Sequence, residues 1–460
     1  MRHSPHFMSA AGPWDLAALA RSIADIHHRL ETIPPRMPIA VGMAADPVSV
    51  AALLAAEDGR RPVLLLPPQV EARERENLLA AVRPAALVAP ARVPWVQRLP
   101  GTGSDVAGGV MISLPLPDTS HDLGDVICQR TSGSMGPPRL AVRSRIGIED
   151  EIHALEGRIS FAGERILCAS SLAHSYGLIA GLLAPARHGA AHIAFAGSAQ
   201  EACRLAATTR PTLIVGLAST YQAFLDHDLP GAFLTDARVL LSAGAPLPAG
   251  LFDAFWRRYH LPIRQDYGTT ETGTISLNYP DAPDPESVGV PLPHLHVRVV
   301  PAGDAGDEVQ VRGRAVAAGY LDREEIRAAS DGDGWYQTGD GGTVREDGRL
   351  CLGSRRREPI VVGGVPIAPD AIERALQDVS GVVEAAVVPA RRGGQTAIKA
   401  VLVAPNVSED EIRRGLARCL PPDAIPSVIM PIPALPRSPA GKILYSKLES
   451  DAPYSADQSD

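Results

Sequence analysis

The sequence predicts an α/β protein: a large N-terminal domain with parallel-rich sheets and a β-rich subdomain, then a small mobile C-terminal α+β domain. Three observations carry this expectation. Short apolar runs alternate with helical stretches from residue 38 to about 90 and again beyond 164. From about residue 286 the texture changes to short alternating strands with many turn residues. Three consecutive arginines, Arg355 to Arg357, then mark a linker ahead of a last segment that mixes helix and strand. The expected boundaries are 1–354 for the large domain, with its β-rich part at about 286–354, 355–357 for the hinge, 358–450 for the small domain and 451–460 for a disordered polar tail.

Length and composition agree with several domains, since 460 residues exceed one ordinary core. The chain is 45% hydrophobic and 21% charged, as expected of a globular protein. Its 44 basic residues are outnumbered by 52 acidic ones, which argues against nucleic acid as the main partner. The N-terminus MRHSPHFMSAAGPWD has no apolar core of signal-peptide length, and no uncharged apolar run reaches spanning length. Cys128, Cys168, Cys203, Cys351 and Cys419 lack CxxC spacing and read as small core residues. These features predict a cytoplasmic protein.

Taken in order, PIAVGM, DPVSVAALLAAEDG, RPVLLLP, EARERENLLAAVR and AALVAP form a βαβαβ run, with Asp46 capping a helix that starts at Pro47. Residues 91–124 are rich in Pro and Gly and read as a connecting loop. GDVICQR is a short buried strand running into TSGSMGPPR, and residues 145–157 are helical. The strand RILCAS precedes SSLAHSYGL and an Ala-rich helix to about Ala186. AAHIAFAG, SAQEACRLAATTR, PTLIVGLAST and ARVLLSAGAPLP continue the alternation. WYQTGDGGTVREDGRLCLGS reads as a hairpin turning at Glu346-Asp347-Gly348. PDAIERALQDV, VVEAAVVPA, TAIKAVLVAP and SEDEIRRGLARCL make up the last domain.

Four strand ends carry suggestive chemistry: TSGSMG, LAHSYGL, SAGAPLP and QDYGTTETG. In open α/β sheets, ligands sit at such carboxyl ends. TSGSMGPPR offers Thr131, Ser132, Ser134, Gly133 and Gly136, with Arg139 as a terminal cation. Such a loop can wrap a phosphate with N–H groups and hydroxyls, or be a solvated turn. It lacks the Gly-Lys-Ser/Thr ending of a Walker loop. In QDYGTTETG, the lone carboxylate Glu271 stands among hydroxyls beside Tyr267. Magnesium favours few carboxylates plus phosphate and water, so Glu271 reads either as a metal ligand or as a solvated strand-end residue. Asp340 can accept from a ribose diol or stabilise its turn. Lys442 follows a Pro/Gly-rich loop, LPRSPAG, and His174 is bracketed by small and apolar residues.

Together, TSGSMGPPR, LAHSYGL, LLSAGAPLP, QDYGTTETG, VQVRGRAVAAGY, WYQTGD, SRRREPIVVGGVPIAPDAIE and LPRSPAGKILYSKL resemble, in order and spacing, the AMP-forming acyl- and aryl-CoA synthetases. That superfamily also includes nonribosomal adenylation domains and luciferase. The resemblance is specific from about residue 125 to 448. It implies ATP-dependent activation of a carboxylic acid to an acyl-adenylate, then transfer to a thiol. Cofactors implied are ATP and Mg2+, with coenzyme A or a phosphopantetheinyl carrier protein in trans as acceptor. By position, Thr131 to Gly136 wrap the pyrophosphate part of ATP. Gln265 and Tyr267 meet the adenine, and Gly244, Ala245 and Pro246 form another wall. Thr270 contacts phosphate, Glu271 binds magnesium, and Asp340 and Arg355 hold the ribose. Lys442 bridges the substrate carboxylate and the α-phosphate, and Gly364 nears the cleft in a thioester-forming pose. His174, Tyr176, Gly216, Tyr221 and Gly268 line the acyl pocket.

This chain departs from the family pattern in places. Met135 stands where the family usually has Thr, and Arg139 where it has Lys, which keeps the charge but changes its geometry. Ser354 replaces a usual Gly, and Arg357 takes a hinge position where an acidic residue or lysine is common. Amino-acid-activating domains usually carry an Asp in the LAHSYGL region, and this stretch has none. AHSY resembles aryl-acid enzymes, while HSYGL fits fatty-acyl enzymes equally well. The resemblance therefore implies an aryl acid such as a hydroxybenzoate, or a medium-chain acid. A non-catalytic nucleotide or acyl sensor is the alternative, against which Glu271, Asp340 and Lys442 stand together; an unrelated ATPase or kinase built on the Gly-rich loop would release ADP instead of AMP.

Overall fold

The computed structural model describes residues 5–96, 102–106, 109–114, 123–131, 139–280, 282–301, 307–322, 325–355, 360–362, 365–392, 395–437 and 443–449. Within them, two nine-stranded sheets dominate. In one, Ile263–Thr269, Val239–Ser242, Leu213–Gly216, Arg165–Cys168, His192–Phe195 and His6–Ser9 lie side by side, all parallel. In the other, Val126–Arg130, Val63–Leu66, Ile39–Gly42 and Ala86–Pro90 form the parallel centre. Val63–Leu66 is apolar at every position and buried at every position, as a strand covered on both faces must be. The helix Pro47–Asp58 starts where the sequence places it. The Asp46 carboxylate accepts from the Val48 N–H at 2.9 Å, and Pro47 needs no partner in the first turn.

Two segments differ from the sequence expectation. The stretch read as a connecting loop contains a hairpin, Thr102–Val106 and Gly109–Ser113, whose second strand pairs antiparallel with Ala86–Pro90. Val110 and Ile112 pack there against the core that Ala86–Pro90 helps to form. The second difference is in the β-rich part. His296–Pro301, Asp307–Arg312, Tyr336–Val344 and Leu350–Arg355 form a four-stranded sheet. Gly319–Asp322 and Glu325–Ala328 instead leave it and extend a nine-stranded sheet, beside Leu140–Ser144. That crossing brings the end of VQVRGRAVAAGY next to the strand that follows the phosphate-loop candidate.

Beyond residue 360 the described residues build their own apolar clusters. Ile372, Leu376, Val387, Ile398, Leu402 and Leu416 make the larger one, between helices Pro369–Gln377 and Glu409–Leu416 and a three-stranded sheet. Ser408 and Glu411 close a reciprocal cap on the second helix, as SEDE suggests. No helix among the described residues is long and apolar enough to cross a membrane. Cys128, Cys168 and Cys203 are buried, while Cys351 is half-buried and Cys419 exposed, so Cys419 is not the core residue that was expected.

Candidate active site

The parallel strands of the first sheet deliver their ends in step. Cys168 lies opposite Val215, Gly216 opposite Ser242, and Ser242 opposite Gln265. The segments that leave the first three ends carry His174, Leu217 and Gly244, and Tyr267 lies two residues past Gln265 in its own strand. The phosphate-loop strand, Val126–Arg130, belongs to the other sheet. A buried side chain spans the gap: Gln129 Nε2 donates to the Ala173 carbonyl at 3.3 Å. That bond sets the end of Val126–Arg130 beside the LAHSYGL segment, and the space that these described strand ends border is the candidate crevice.

On the phosphate side, Thr131 closes the base of its loop. Its N–H donates to the Arg139 carbonyl at 2.8 Å, and its Oγ1 accepts from the Arg139 N–H at 3.0 Å. Ser132, Gly133, Ser134, Met135 and Gly136 lie outside the described residues. The Arg139 guanidinium sits 3.8 Å from the centre of the Tyr320 ring, within cation–π range. The Tyr320 hydroxyl donates to Glu271 Oε1 at 2.8 Å. Glu271 is 6% exposed. Among the described residues no donor takes its Oε2. Tyr336 adds its hydroxyl to Tyr320 and Thr269. Burial first, and then the Glu271 charge, push both tyrosines well up, so they remain neutral donors. Thr270 is half-buried on the same loop.

On the nucleoside side, the Tyr267 hydroxyl donates to Asp340 Oδ2 at 2.8 Å, and the Asp340 N–H is held by Thr338 Oγ1 at 3.1 Å. Arg355 lies opposite Asp340 in the strand register, its side chain outside the described residues. Gln265 departs from its expected role. Its Oε1 accepts from the Leu247 N–H, and its Nε2 donates to the Pro285 and Ser287 carbonyls. That amide is committed to backbone, so it fixes the end of the Gly244-Ala245-Pro246 loop. Gly244 itself has φ of 86°, a left-handed turn that a side chain would strain.

In the stretch expected to line the acyl pocket, His174 stands at the N-cap position of the short helix Ser175–Leu178, with no side-chain cap bond, and is half-buried. The Tyr176 hydroxyl lies against the Gly216 backbone. Tyr221 differs from expectation: it is fully buried behind Gly216. Its hydroxyl donates to the Leu241 carbonyl at 2.6 Å, and its ring meets Phe224 and Phe255 edge-on. A Cβ on Gly216 would lie 3.2 Å from that ring, so the wall facing the crevice is Gly216 and the tyrosine backs it. Gly268 faces the Gly273 carbonyl across the tight hairpin. Lys442 and Gly364 lie outside the described residues.

Tyr320, Tyr336 and Asp266 join the site although their motifs VQVRGRAVAAGY, WYQTGD and QDYGTTETG give no local sign of it. Asp266 is buried beside Thr274, whose Oγ1 donates to it at 3.3 Å. Burial, and then the nearby Glu151 charge, push its carboxyl up to about 8. Between the ordinary aspartate value of about 4 and about 8, the folded protein holds a proton that the unfolded chain has released. Asp266 therefore lowers stability progressively as pH rises through that window, and no further above it. Asp266→Asn is expected to remove this part of the pH dependence, so that melting temperatures of variant and wild type diverge in the variant's favour from acid to neutral pH. Parallel melting curves across that range would show that Asp266 is charged throughout.

The sequence itself matches a known family. Residues 35–321 match the family described as AMP-binding enzyme, and residues 371–442 match the AMP-binding enzyme C-terminal domain. The first match takes in more than half of the chain, which therefore belongs to this family, the superfamily of AMP-forming acyl- and aryl-CoA synthetases. A feruloyl-CoA synthase of Amycolatopsis sp is 33% identical over 354 residues, 72% of this chain and 71% of that one. A methyl-dioxo-octahydro-indenyl propanoyl:CoA ligase of Rhodococcus jostii is 31% identical over 292 residues, 60% of this chain. The match spans 55% of that relative's length. ATP-bound MatB from Rhodopseudomonas palustris shares the fold, with a TM-score of 0.79 at 21% identity over 97% of this chain and 95% of that one.

Proposed function

We propose that the chain activates a carboxylic acid with ATP to an acyl-adenylate and then passes the acyl group to a thiol of coenzyme A or of a carrier protein. The observation that carries this reading is the convergence of Arg139, Tyr320 and Glu271 at the base of the phosphate loop, beside the Tyr267–Asp340 pair in the same crevice. A cation, a carboxylate and hydroxyls in contact support the triphosphate part of this reading, and the Asp340 carboxylate supports the ribose part. In the first step a carboxylate oxygen attacks the α-phosphorus and the bond to pyrophosphate breaks. In the second a thiol attacks the acyl carbon and AMP leaves. A free carboxylate is a poor electrophile, and the mixed anhydride supplies the leaving group. The demand is for positioning and charge stabilisation.

In this reading Thr131, Ser132, Gly133, Ser134 and Gly136 hold the phosphates, Thr270 adds a hydroxyl, and Arg139 balances their charge. Asp340 accepts from the ribose, with Arg355 near it in register, and Tyr267 keeps the carboxylate of Asp340 aimed. Lys442 bridges the acid and the α-phosphate. Gly364 makes room for the thiol arm, on a small C-terminal unit (358–450) that swings about residues 355–357. Glu271 fits a magnesium ion, because Tyr320 occupies one of its oxygens and leaves the other for a cation. That ion, when bound, neutralises phosphate charge. Cytoplasmic residence accords with five unpaired cysteines.

For the acid, we favour an aryl acid such as a hydroxybenzoate, or a medium-chain acyl acid. The stretch Leu172 to Leu178 carries no carboxylate to pair with an ammonium group, burial holds the Asp266 carboxyl near Tyr176 in its neutral form, and burying an ammonium unpaired is costly. Pyrophosphate release is to be measured over a panel of aryl, medium-chain and amino acids, each with coenzyme A and with a holo carrier protein. Aryl or acyl acids should lead, and AMP should accumulate. Turnover of an α-amino acid at the best acid's rate would overturn the substrate class, and ADP as product the reaction itself.

A further inference from the structure

One charged pair, Arg143 and Glu151, is almost wholly buried. Arg143 is on the strand Leu140–Ser144, which leaves the phosphate loop, and Glu151 is on the helix Arg145–Glu156 that follows. Their side chains are 0% and 1% exposed, with Nη2 2.8 Å from Oε2. Arg143 Nη1 donates to Ser175 Oγ at 2.8 Å, between His174 and Tyr176 in sequence. Its Nη2 also points at the Thr272 and Ala315 carbonyls, both at 3.4 Å. Glu151 Oε1 accepts from the Thr274 N–H at 2.8 Å. Between those two residues Gly273 has φ of 69°, and a Cβ there would fall 2.0 Å from Glu151 Oε2. Only a glycine allows the Glu271 loop to close down on this carboxylate.

Stability alone does not account for such a pair. Taking two charges out of water costs about what their attraction returns, and apolar residues of similar volume often serve as well or better. What apolar packing lacks is direction. This pair bonds to the acid-side helix through Ser175 and to the Glu271 loop through Thr272 and Thr274. It also reaches the segment that leads to Tyr320, whose Ala317 N–H donates to the Glu271 carbonyl at 2.7 Å. We propose that the buried Arg143–Glu151 pair is a positioning device that sets the acid-binding helix against the phosphate and Glu271 loops. It touches no substrate. It fixes the distance over which carboxylate and α-phosphorus must meet, where a shift of about 1 Å can cost a hundredfold.

The proposal rests on the acid-activating reading, and wild-type turnover on the best acid is its reference. A silent wild type counts against the function, whereas a variant that matches an active wild type counts against the pair. The decisive variant replaces both charges by apolar side chains, Arg143→Met with Glu151→Leu. A melting temperature within a few degrees of wild type, with adenylation kcat lowered about tenfold or more, is the expected result. Activity that returns together with stability would make the pair ordinary core and overturn the proposal. Should that double variant fail to fold, Ser175→Ala decides, because it keeps the ion pair and cuts only the tie to the helix. It should raise KM for the acid about fivefold and leave KM for ATP within about twofold. No change in either, or an equal change in both, would overturn the proposal.

Discussion

Lys442→Ala is expected to slow adenylation by about a hundred- to a thousandfold and to leave thioester formation from a supplied acyl-adenylate largely intact. A cation placed between carboxylate and α-phosphate matters while negative charge gathers there, and that charge has gone with the pyrophosphate once the mixed anhydride exists. Gly364→Leu should do the reverse. Gly364 follows Val361-Val362-Gly363 and offers no charge, and its proposed role is to admit an incoming thiol arm. Pyrophosphate exchange should persist in that variant while thioester formation stops. The opposition arises if one small unit presents Lys442 in one orientation and Gly364 in another to the same crevice. Both half-reactions are to be measured on both variants. Equal loss of both steps in each would mean a single fixed arrangement, and the swinging unit would have to be abandoned.

The parallel sheets were legible because their strands announce themselves locally. Val63–Leu66 and Leu213–Gly216 are short apolar runs between helical stretches, and burial on both faces leaves no alternation to misread. The hairpin at Thr102–Val106 was not, since TGSDV has the composition of a turn and becomes a strand only by pairing with Gly109–Ser113. Contacts distant in sequence were the other loss. Nothing near Tyr320 says that its strand will cross to Leu140–Ser144, and only that crossing sets the ring under Arg139 and the hydroxyl on Glu271. Tyr221 and Gln265, which the family resemblance sets beside ligands, turn their polar atoms to backbone, a commitment that motif matching does not show. One local signal went unused. An arginine inside the apolar strand LAVRS has no cheap burial, so a partner for Arg143 was to be sought.

Glu271→Gln is expected to cut adenylation by about a hundredfold at limiting magnesium, with little change in melting temperature. The amide keeps the carboxylate's shape, and its oxygen can still accept from the Tyr320 hydroxyl, so the loop between Thr269 and Gly273 has no reason to move. What disappears is the negative charge on the face that Tyr320 leaves open, where a hard cation shared with phosphate oxygens needs an anionic ligand. Tyr320→Phe separates that charge from its support. The phenyl ring still lies under Arg139 and the Glu271 charge remains, but Oε1 loses its donor and the carboxylate its fixed direction. Its loss should be only about tenfold, the scale of one displaced hydrogen bond to a charged group, and added magnesium should recover most of it. Pyrophosphate release titrated with magnesium distinguishes the two variants, because added metal can repair orientation but not a missing charge. Normal adenylation by Glu271→Gln at limiting magnesium would remove Glu271 from the metal, and a Tyr320→Phe defect that magnesium does not relieve would place the tyrosine on the phosphates themselves.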